Sequence, residues 1–413
     1  MRIRRKYLFY VIIFSSAIIQ SVNSGVDATV SKLYISNPFA LGLATFIVGI
    51  PISLILIGFF SIKIRKKSIG ARLADPTFKK IRLIRKKEVK FQFLAAIGNA
   101  VYTLGYFMLF KILGDPSIVI PFTQVVILYL VAIESISEKD MPTLSEFESI
   151  IIVTFGAILG SLSLSGNLNL ESITVVFLVI NPGWVLFAIY QRKLKWLKID
   201  GQYNDSINIR FWNVVFSAVI TVLIIFFYDV VMGTNNLFLG LFESVQNFFW
   251  VGIVATGAFF SFILYIRALG MGKASVAQAV KSSTIVFSIP VTLAIASFGI
   301  IEPFSLDPTL LLIKAIGIII MLLGISSFAL NLVKAYIFIK VKPGVNIEGL
   351  MDDIWKLKGV THVTATAGRY DLVVKIRIRT LVKGYEKIIR KLDDLKAIQS
   401  YKWDSVLKEW DNL

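Results

Sequence analysis

Lys281 stands inside the otherwise uncharged run Ser275-Val276-Ala277-Gln278-Ala279-Val280-Lys281-Ser282-Ser283-Thr284. It lies about two helical turns into an apolar segment. A charge at that depth costs several kcal/mol unless it is paired or faces a cavity. Facing a cavity, the ammonium can hold an anionic group or an ion; otherwise it snorkels to the surface or pairs with a carboxylate. Gln278, three residues earlier, shares its helical face. Asn181-Pro182-Gly183-Trp184 interrupts another apolar run. There Pro182 removes a backbone donor and Gly183 relaxes the chain, so a kink is expected, serving either substrate contact or packing. Asn99, Tyr102 and Tyr106 follow at i, i+3 and i+7 on one face, as a cavity wall or as interhelical packing. Gln124, Asn213 and Gln20 are single polar residues that suit interhelical hydrogen bonds. Glu134 and Glu138 share a face one turn apart; Glu134 is either a coupling carboxylate or a membrane-edge residue. Arg267 reads as a boundary residue.

Other chemistries are excluded by what the chain lacks. Cysteine is absent, and His362 is the only histidine. Disulfides, thiolate metal sites and histidine relays therefore have no residues to form from. No Gly-Lys-Ser/Thr phosphate loop, nucleophile–base pair or cofactor fingerprint occurs, so neither an enzyme nor a bound cofactor or metal is expected.

The elements that must position these residues are apolar. Of 413 residues 56% are hydrophobic and 17% charged, with a mean hydropathy of +0.75, which reads as a polytopic membrane protein. Runs long enough to span a bilayer are 7–30, 39–62, 91–112, 116–136, 146–165, 172–190, 209–230, 247–269, 275–299 and 309–333. Twelve Lys/Arg stand against Asp75 and Glu88 between Lys63 and Lys90. With Arg2, Arg4, Arg5, Lys6, Lys139, Arg192, Lys193, Lys195, Lys198 and Lys273, they place both termini in the cytoplasm of a multi-pass cell-membrane protein. Phe78, Ile81 and Ile84 at near-helical spacing suggest that 63–90 lies on anionic headgroups rather than on nucleic acid. The ten runs divide five and five, giving repeats at 1–165 and 166–334. Each closes on a Glu, a short loop and a helix with spaced small residues: Glu138 with Ser149 and Gly156, then Glu302 with Gly317 and Gly324. An odd number inverts the second repeat, the arrangement of alternating-access carriers.

Ser137-Glu138, Ile301-Glu302-Pro303 and the phrase Ala188-Ile189-Tyr190-Gln191-Arg192-Lys193 after Trp184 resemble the EamA-type branch of the drug/metabolite transporter superfamily. The glycine that precedes Glu in that family is missing from both turns. The resemblance implies an all-α body of ten helices in two inverted five-helix repeats. The Ser275–Lys281 run is similar to the ninth helix of sugar-phosphate and nucleotide-sugar translocators, which implies an anion-anchoring role for Lys281; Gln278 stands where their pattern has Asn.

Residues 335–413 have a different periodicity. Ala335–Lys342 alternates as a strand, 346–358 cycles as a helix, and Val360–Ala367 and Tyr370–Arg379 flank a turn at Gly368-Arg369. A helix over 381–395 and a strand from Ile398 to Lys408 complete a βαββαβ, ferredoxin-like order. Ile339-Lys340-Val341-Lys342-Pro343-Gly344, Gly359-Val360 and Gly368-Arg369-Tyr370-Asp371-Leu372 resemble the effector-binding module of Lrp/AsnC-type regulators. That resemblance implies dimerisation through the sheet and an effector site near Gly368, Tyr370 and Asp371. Asp371 alternatively serves only the turn. The DNA-reading helices of that family are absent, so no nucleic-acid partner is implied.

The sequence thus suggests a secondary active transporter of a small polar metabolite, an amino acid or related compound first among candidates. The tail would sense amino acid, make a homodimer, or both. Two alternatives stay open: an exchanger of anions or sugar-phosphate-like substrates through Lys281, and a membrane receptor that binds without transporting.

Overall fold

The structure is a computed structural model. It describes residues 5–65, 67–113, 119, 123–138, 144–160, 171, 174–300, 308–330, 332–357, 359–379, 384–395 and 397–405. The chain divides into two compact units, 1–141 with 150–325, and 142–149 with 326–413.

The first unit is built of long apolar helices. They are α1 (Arg5–Leu33), α2 (Pro38–Ser61), α4 (Lys86–Leu113), α7 (Asn181–Trp196), α8 (Ser206–Met232), α10 (Phe248–Leu269) and α12 (Thr284–Ser297). Shorter helices are α3 (Ile69–Leu73), α5 (Val126–Glu138), α9 (Asn236–Gln246) and α11 (Ala274–Lys281). α6 (Leu144–Gly160) and α13 (Pro308–Leu330) each contain residues of both units. Among the described residues seven stretches are long and apolar enough to cross a membrane: Leu8–Leu33, Pro38–Ser61, Lys86–Ile112, Val175–Trp196, Ser206–Met232, Phe248–Leu269 and Ala274–Ser297. The other three expected spans, 116–136, 146–165 and 309–333, each include undescribed residues, as does the Ile301-Glu302-Pro303 turn. On α8, Val219, Leu223, Phe226, Phe227 and Val230 stay exposed along one side, the surface a lipid-facing helix presents.

One expectation changes here. Residues 76–85 form no helix, and Phe78 is buried against Ile57, Phe60, Ile207, Phe211 and Phe259 instead of facing headgroups. Phe78 was grouped with Ile81 and Ile84 by spacing alone, but burial of its ring under α2, α8 and α10 removes far more apolar surface from water. Near Pro182 the backbone widens to a π-helical turn over Val175–Ile180 that runs on into α7, and the Phe177 carbonyl, five residues before Pro182, accepts from the Tyr129 hydroxyl at 3.3 Å instead of from a backbone amide. Gly183 serves packing: a Cβ there would lie 2.9 Å from the Tyr102 amide, and one on Gly98 would lie 2.5 Å from the Gly183 carbonyl. α4 and α7 therefore touch backbone to backbone. Gly156 of α6 and Gly324 of α13 do likewise, with added Cβ atoms 2.5 Å from the Met321 amide and 2.8 Å from the Val153 amide.

The second unit has the expected order: β5 (Leu332–Val341), α14 (Ile347–Trp355), β6 (Val360–Ala365), β7 (Leu372–Arg379), α15 (Gly384–Asp394) and β8 (Ile398–Ser405). Two-stranded hairpins β1 (Lys63–Ile64) with β2 (Lys67–Ser68), and β3 (Lys198–Ile199) with β4 (Gln202–Tyr203), belong to the first unit. The tail sheet is antiparallel in the order β6-β7-β5-β8. Alternation puts Ile337, Ile339, Leu372, Val374 and Ile376 on the face that packs Leu350, Ile354, Ile388 and Leu392. Tyr336 and Phe338 fall on the other face, half-buried and uncovered by α14 or α15.

Candidate functional site

α11 is a helix of eight residues whose two ends are chemically opposite. At its start the Glu134 carboxylate accepts from the Ala274 amide at 2.7 Å and the Ser275 amide at 3.1 Å, and pairs with Arg192 at 2.9 Å. An anion there satisfies orphan amides and meets the positive end of the helix dipole. At its other end is Lys281, after which the chain turns through Ser282-Ser283 before α12 begins. Glu134 is thus buried and engaged by both Arg192 and the start of α11.

Lys281 is 3% exposed. Its ammonium lies 4.5 Å from the ring centre of Tyr265, 4.7 Å from Trp184 and 5.2 Å from Phe262. Among the described residues no carboxylate pairs with it. Aromatic faces offset part of its desolvation but supply no acceptor for its three N–H donors. The Phe262 ring is shared with a second buried cation, Arg210, whose guanidinium carbon is 4.2 Å from the ring centre and whose Nε has no partner among the described residues.

The wall beside Lys281 is tied together. Gln278 Oε1 accepts from Trp184 Nε1 at 3.0 Å and from the Tyr265 hydroxyl at 3.2 Å, while Gln278 Nε2 donates to Gln124 Oε1 at 2.8 Å. Ser282 Oγ donates to the same Gln124 oxygen at 3.0 Å. Trp184, Gln124, Gln278 and Lys281 line a small cavity with Gln20, Ser24, Tyr102, Tyr106, Thr123 and Thr284, between α1, α4, α7 and α11–α12. Tyr102 stacks on Tyr106 at 5.7 Å and meets Trp184 at 4.6 Å. The cavity has a cationic tip, amide and hydroxyl sides and aromatic faces, which is the chemistry for a small molecule bearing a negative group.

Of the residues singled out in sequence, Lys281, Gln278, Gln124, Gln20, Tyr102, Tyr106 and Trp184 meet in this cavity. Asn99 and Asn213 do not line it. They bond each other at 3.0 Å between α4 and α8, with Ser217 also accepting from Asn99. Asn181 is buried outside the lining, and neither of its amide atoms has a partner among the described residues. Asp27, Ser24, Arg210 and Tyr265 were missed. Asp27 ends a cluster of polar residues in α1 visible in the sequence, whereas nothing local to Arg210 or Tyr265 signals the shared ring.

A second buried lysine shows the opposite arrangement. Lys195 donates to Asp75 at 2.5 Å and to the Asn204 carbonyl, and Asp75 also accepts from the Ser206 amide at 2.8 Å and hydroxyl at 2.7 Å. Burial alone would raise the Asp75 carboxyl, but the Lys195 charge and these donors outweigh it and hold the group down at about 2. Arg82 grips Glu88 with two bonds of 2.6 and 2.7 Å and reaches Asn204 as well. These contacts join the 63–90 segment to the Leu197–Asp205 connection.

In the tail, Gly368 is exposed and Tyr370 rests on Phe338 at 5.4 Å. Asp371 Oδ2 accepts from the Val341 amide at 2.7 Å, and its own amide donates to the Ile339 carbonyl. Asp371 therefore closes the β5–β7 edge beside the irregularity at Lys340/Val341.

No curated protein matches the chain. One solved structure, described only as a crystal structure of a protein, is 13% identical with a TM-score of 0.47, covering 77% of this chain and 97% of that one. Another, of a protein called PH0061, is 18% identical with a TM-score of 0.19, covering 32% of this chain and 76% of that one. Both are too distant to carry an argument. The family comparison is specific to the tail: residues 334–412, with the sheet order and edge described above, form an Lrp/AsnC ligand binding domain.

Proposed function

We propose that the helical body is a secondary transporter of a small polar metabolite that carries a negative group, an amino acid or related carboxylate first. The observation behind this reading is Lys281, a buried ammonium at the tip of a polar–aromatic cavity, paired with no carboxylate among the described residues. A charge so placed is stabilised fully only when an anion enters. The cavity lies between helices of 1–165 and of 166–334, where a carrier with two inverted halves holds its substrate. In this reading the chain sits in the cell membrane with both termini in the cytoplasm, and the basic surface at 63–90 faces anionic headgroups.

The tail is the sensor and pairing element in this proposal. Lrp/AsnC ligand binding domains commonly bind small molecules and dimerise, and the half-buried Tyr336 and Phe338 face suits a second copy. An amino acid bound there would regulate flux only if it bound two states of the transporter unequally.

The test is counterflow in proteoliposomes with a panel of labelled amino acids, dicarboxylates and sugar phosphates, comparing wild type with Lys281→Gln. Flux of one class that collapses in the variant supports the reading. Selective flux of sugar phosphates would favour the exchanger, a second reading that the proximity of Arg210 to Lys281 also supports. Saturable binding with no flux would leave a receptor.

A further inference from the structure

Asp27 is a carboxylate 3% exposed within α1, held among the described residues by neutral donors. Asn23 Nδ2 donates to both of its oxygens at 3.3 Å. The Tyr106 hydroxyl oxygen lies 3.3 Å from Asp27 Oδ2 and 3.0 Å from Ser24 Oγ. Ser24 Oγ spends its own proton on the Gln20 carbonyl at 2.8 Å, so toward Tyr106 it can only accept. Tyr106 has one proton for two acceptors. When Asp27 is ionised, the phenol must choose between the carboxylate and Ser24. When Asp27 Oδ2 carries a proton, the four groups align in one direction: carboxyl to Tyr106, Tyr106 to Ser24, Ser24 to the Gln20 carbonyl. Each protonation state thus has its own hydrogen-bond pattern, and Gln20, Ser24 and Tyr106 are walls of the Lys281 cavity.

Among the described residues no group around Asp27 supplies a counter-charge. α4 brings Tyr102 and Tyr106, and α11 brings Lys281 to the cavity. α10 carries Tyr265 and Arg267, which bond to Gln278 and to the Ala74 carbonyl. Neither α2 nor α12 carries a titratable side chain. From Tyr106 a continuous ring path runs through Tyr102 and Trp184 to Lys281.

We propose that Asp27, Tyr106 and Ser24 form a proton-binding site wired into the wall of the cavity, and that this proton is the coupling ion. The coupling role rests on the transport reading above; the proton site itself does not. In the step, a proton from solvent adds to Asp27 Oδ2 and converts carboxylate to carboxylic acid, while the Tyr106 hydroxyl turns from Asp27 to Ser24. Glu134, the carboxylate suggested by sequence, is committed to Arg192 and the start of α11.

Infrared difference spectroscopy of the full-length protein in liposomes, titrated with acid and no substrate, tests the site. The expected result is a carboxylic-acid stretching band that grows through one transition and is absent in Asp27→Asn. Tyr106→Phe, which removes only the relay hydroxyl, displaces the midpoint by about one pH unit. A band that does not titrate, one that persists in Asp27→Asn, or an unmoved midpoint in Tyr106→Phe overturns the proposal. So does a transition that depends on sodium rather than on protons. Because the titration needs no substrate, its failure is separable from a failure of flux.

Discussion

Lys195 and Lys281 are both buried lysines at the C-terminal ends of helices, 7% and 3% exposed, yet their surroundings are opposite. Lys195 has a carboxylate at 2.5 Å and a carbonyl beside it, within a cluster whose every charge has a partner. Lys281 has three aromatic rings and, among the described residues, no acceptor. A buried charge that the protein neutralises itself is a structural element. One left for a visitor to neutralise marks a binding site.

The comparison breaks first at Asp75. Asp75→Asn strands Lys195 without its counter-charge and is expected to cost about 3–5 kcal/mol, read as a loss of thermal stability in detergent. A variant as stable as wild type would remove the structural half of the contrast. The same pair predicts an acid dependence. Because folding holds the Asp75 carboxyl at about 2, below its ordinary 3.8, its stabilisation is present above that ordinary value. It is lost as pH falls through about 2. Asp75→Asn should therefore flatten the acid limb of the stability profile.

Lys281→Gln should act in the other direction on stability. With no partner to strand, it leaves thermal stability unchanged or raised, while flux falls roughly a hundredfold, as expected when a desolvated charge pair of about 2–3 kcal/mol is removed. Glu134→Gln sits between the two. It weakens a buried ion pair and the cap of α11 together, at about 1.5–3 kcal/mol, and lowers both stability and flux. The smallest effect is expected from Trp184→Leu, which removes one ring face from Lys281 and a donor from Gln278. Its cost to substrate affinity is about 1–2 kcal/mol, measured as a change in half-saturation with maximal flux retained.

The sequence made one side of this contrast readable and hid the other. A lysine two turns into an apolar run is conspicuous, and helical spacing grouped it with Gln278, just as it grouped Tyr102 with Tyr106. Spacing along one helix cannot say which neighbour a side chain meets. Asn99 shares the tyrosines' face in projection, yet it is captured by Asn213 and Ser217 of α8. Glu134 had the right depth and charge, but its partners, Arg192 and the amides of Ala274 and Ser275, lie more than fifty residues away. The 63–90 segment misled for a related reason. Counting twelve basic residues against Asp75 and Glu88 does not tell that these two acids and Arg82 turn inward with Phe78, because composition does not separate a charge on the surface from one in a network. The tail was the most legible part, since a period of two and a period of 3.6 alternate over short distances there. Even so, the capture of the Val341 amide by Asp371 required the β5–β7 register.

The central claim is that the Lys281 charge awaits an anion from outside the protein. Counterflow of the labelled panel and thermal unfolding, both measured on wild type and Lys281→Gln in one preparation, test it most directly. In Lys281→Gln, flux of a negatively charged or zwitterionic substrate is expected to be lost while unfolding stays where it was or moves higher. Flux that survives the substitution, or stability that falls as it does for Asp75→Asn, would make Lys281 another structural lysine and contradict the account.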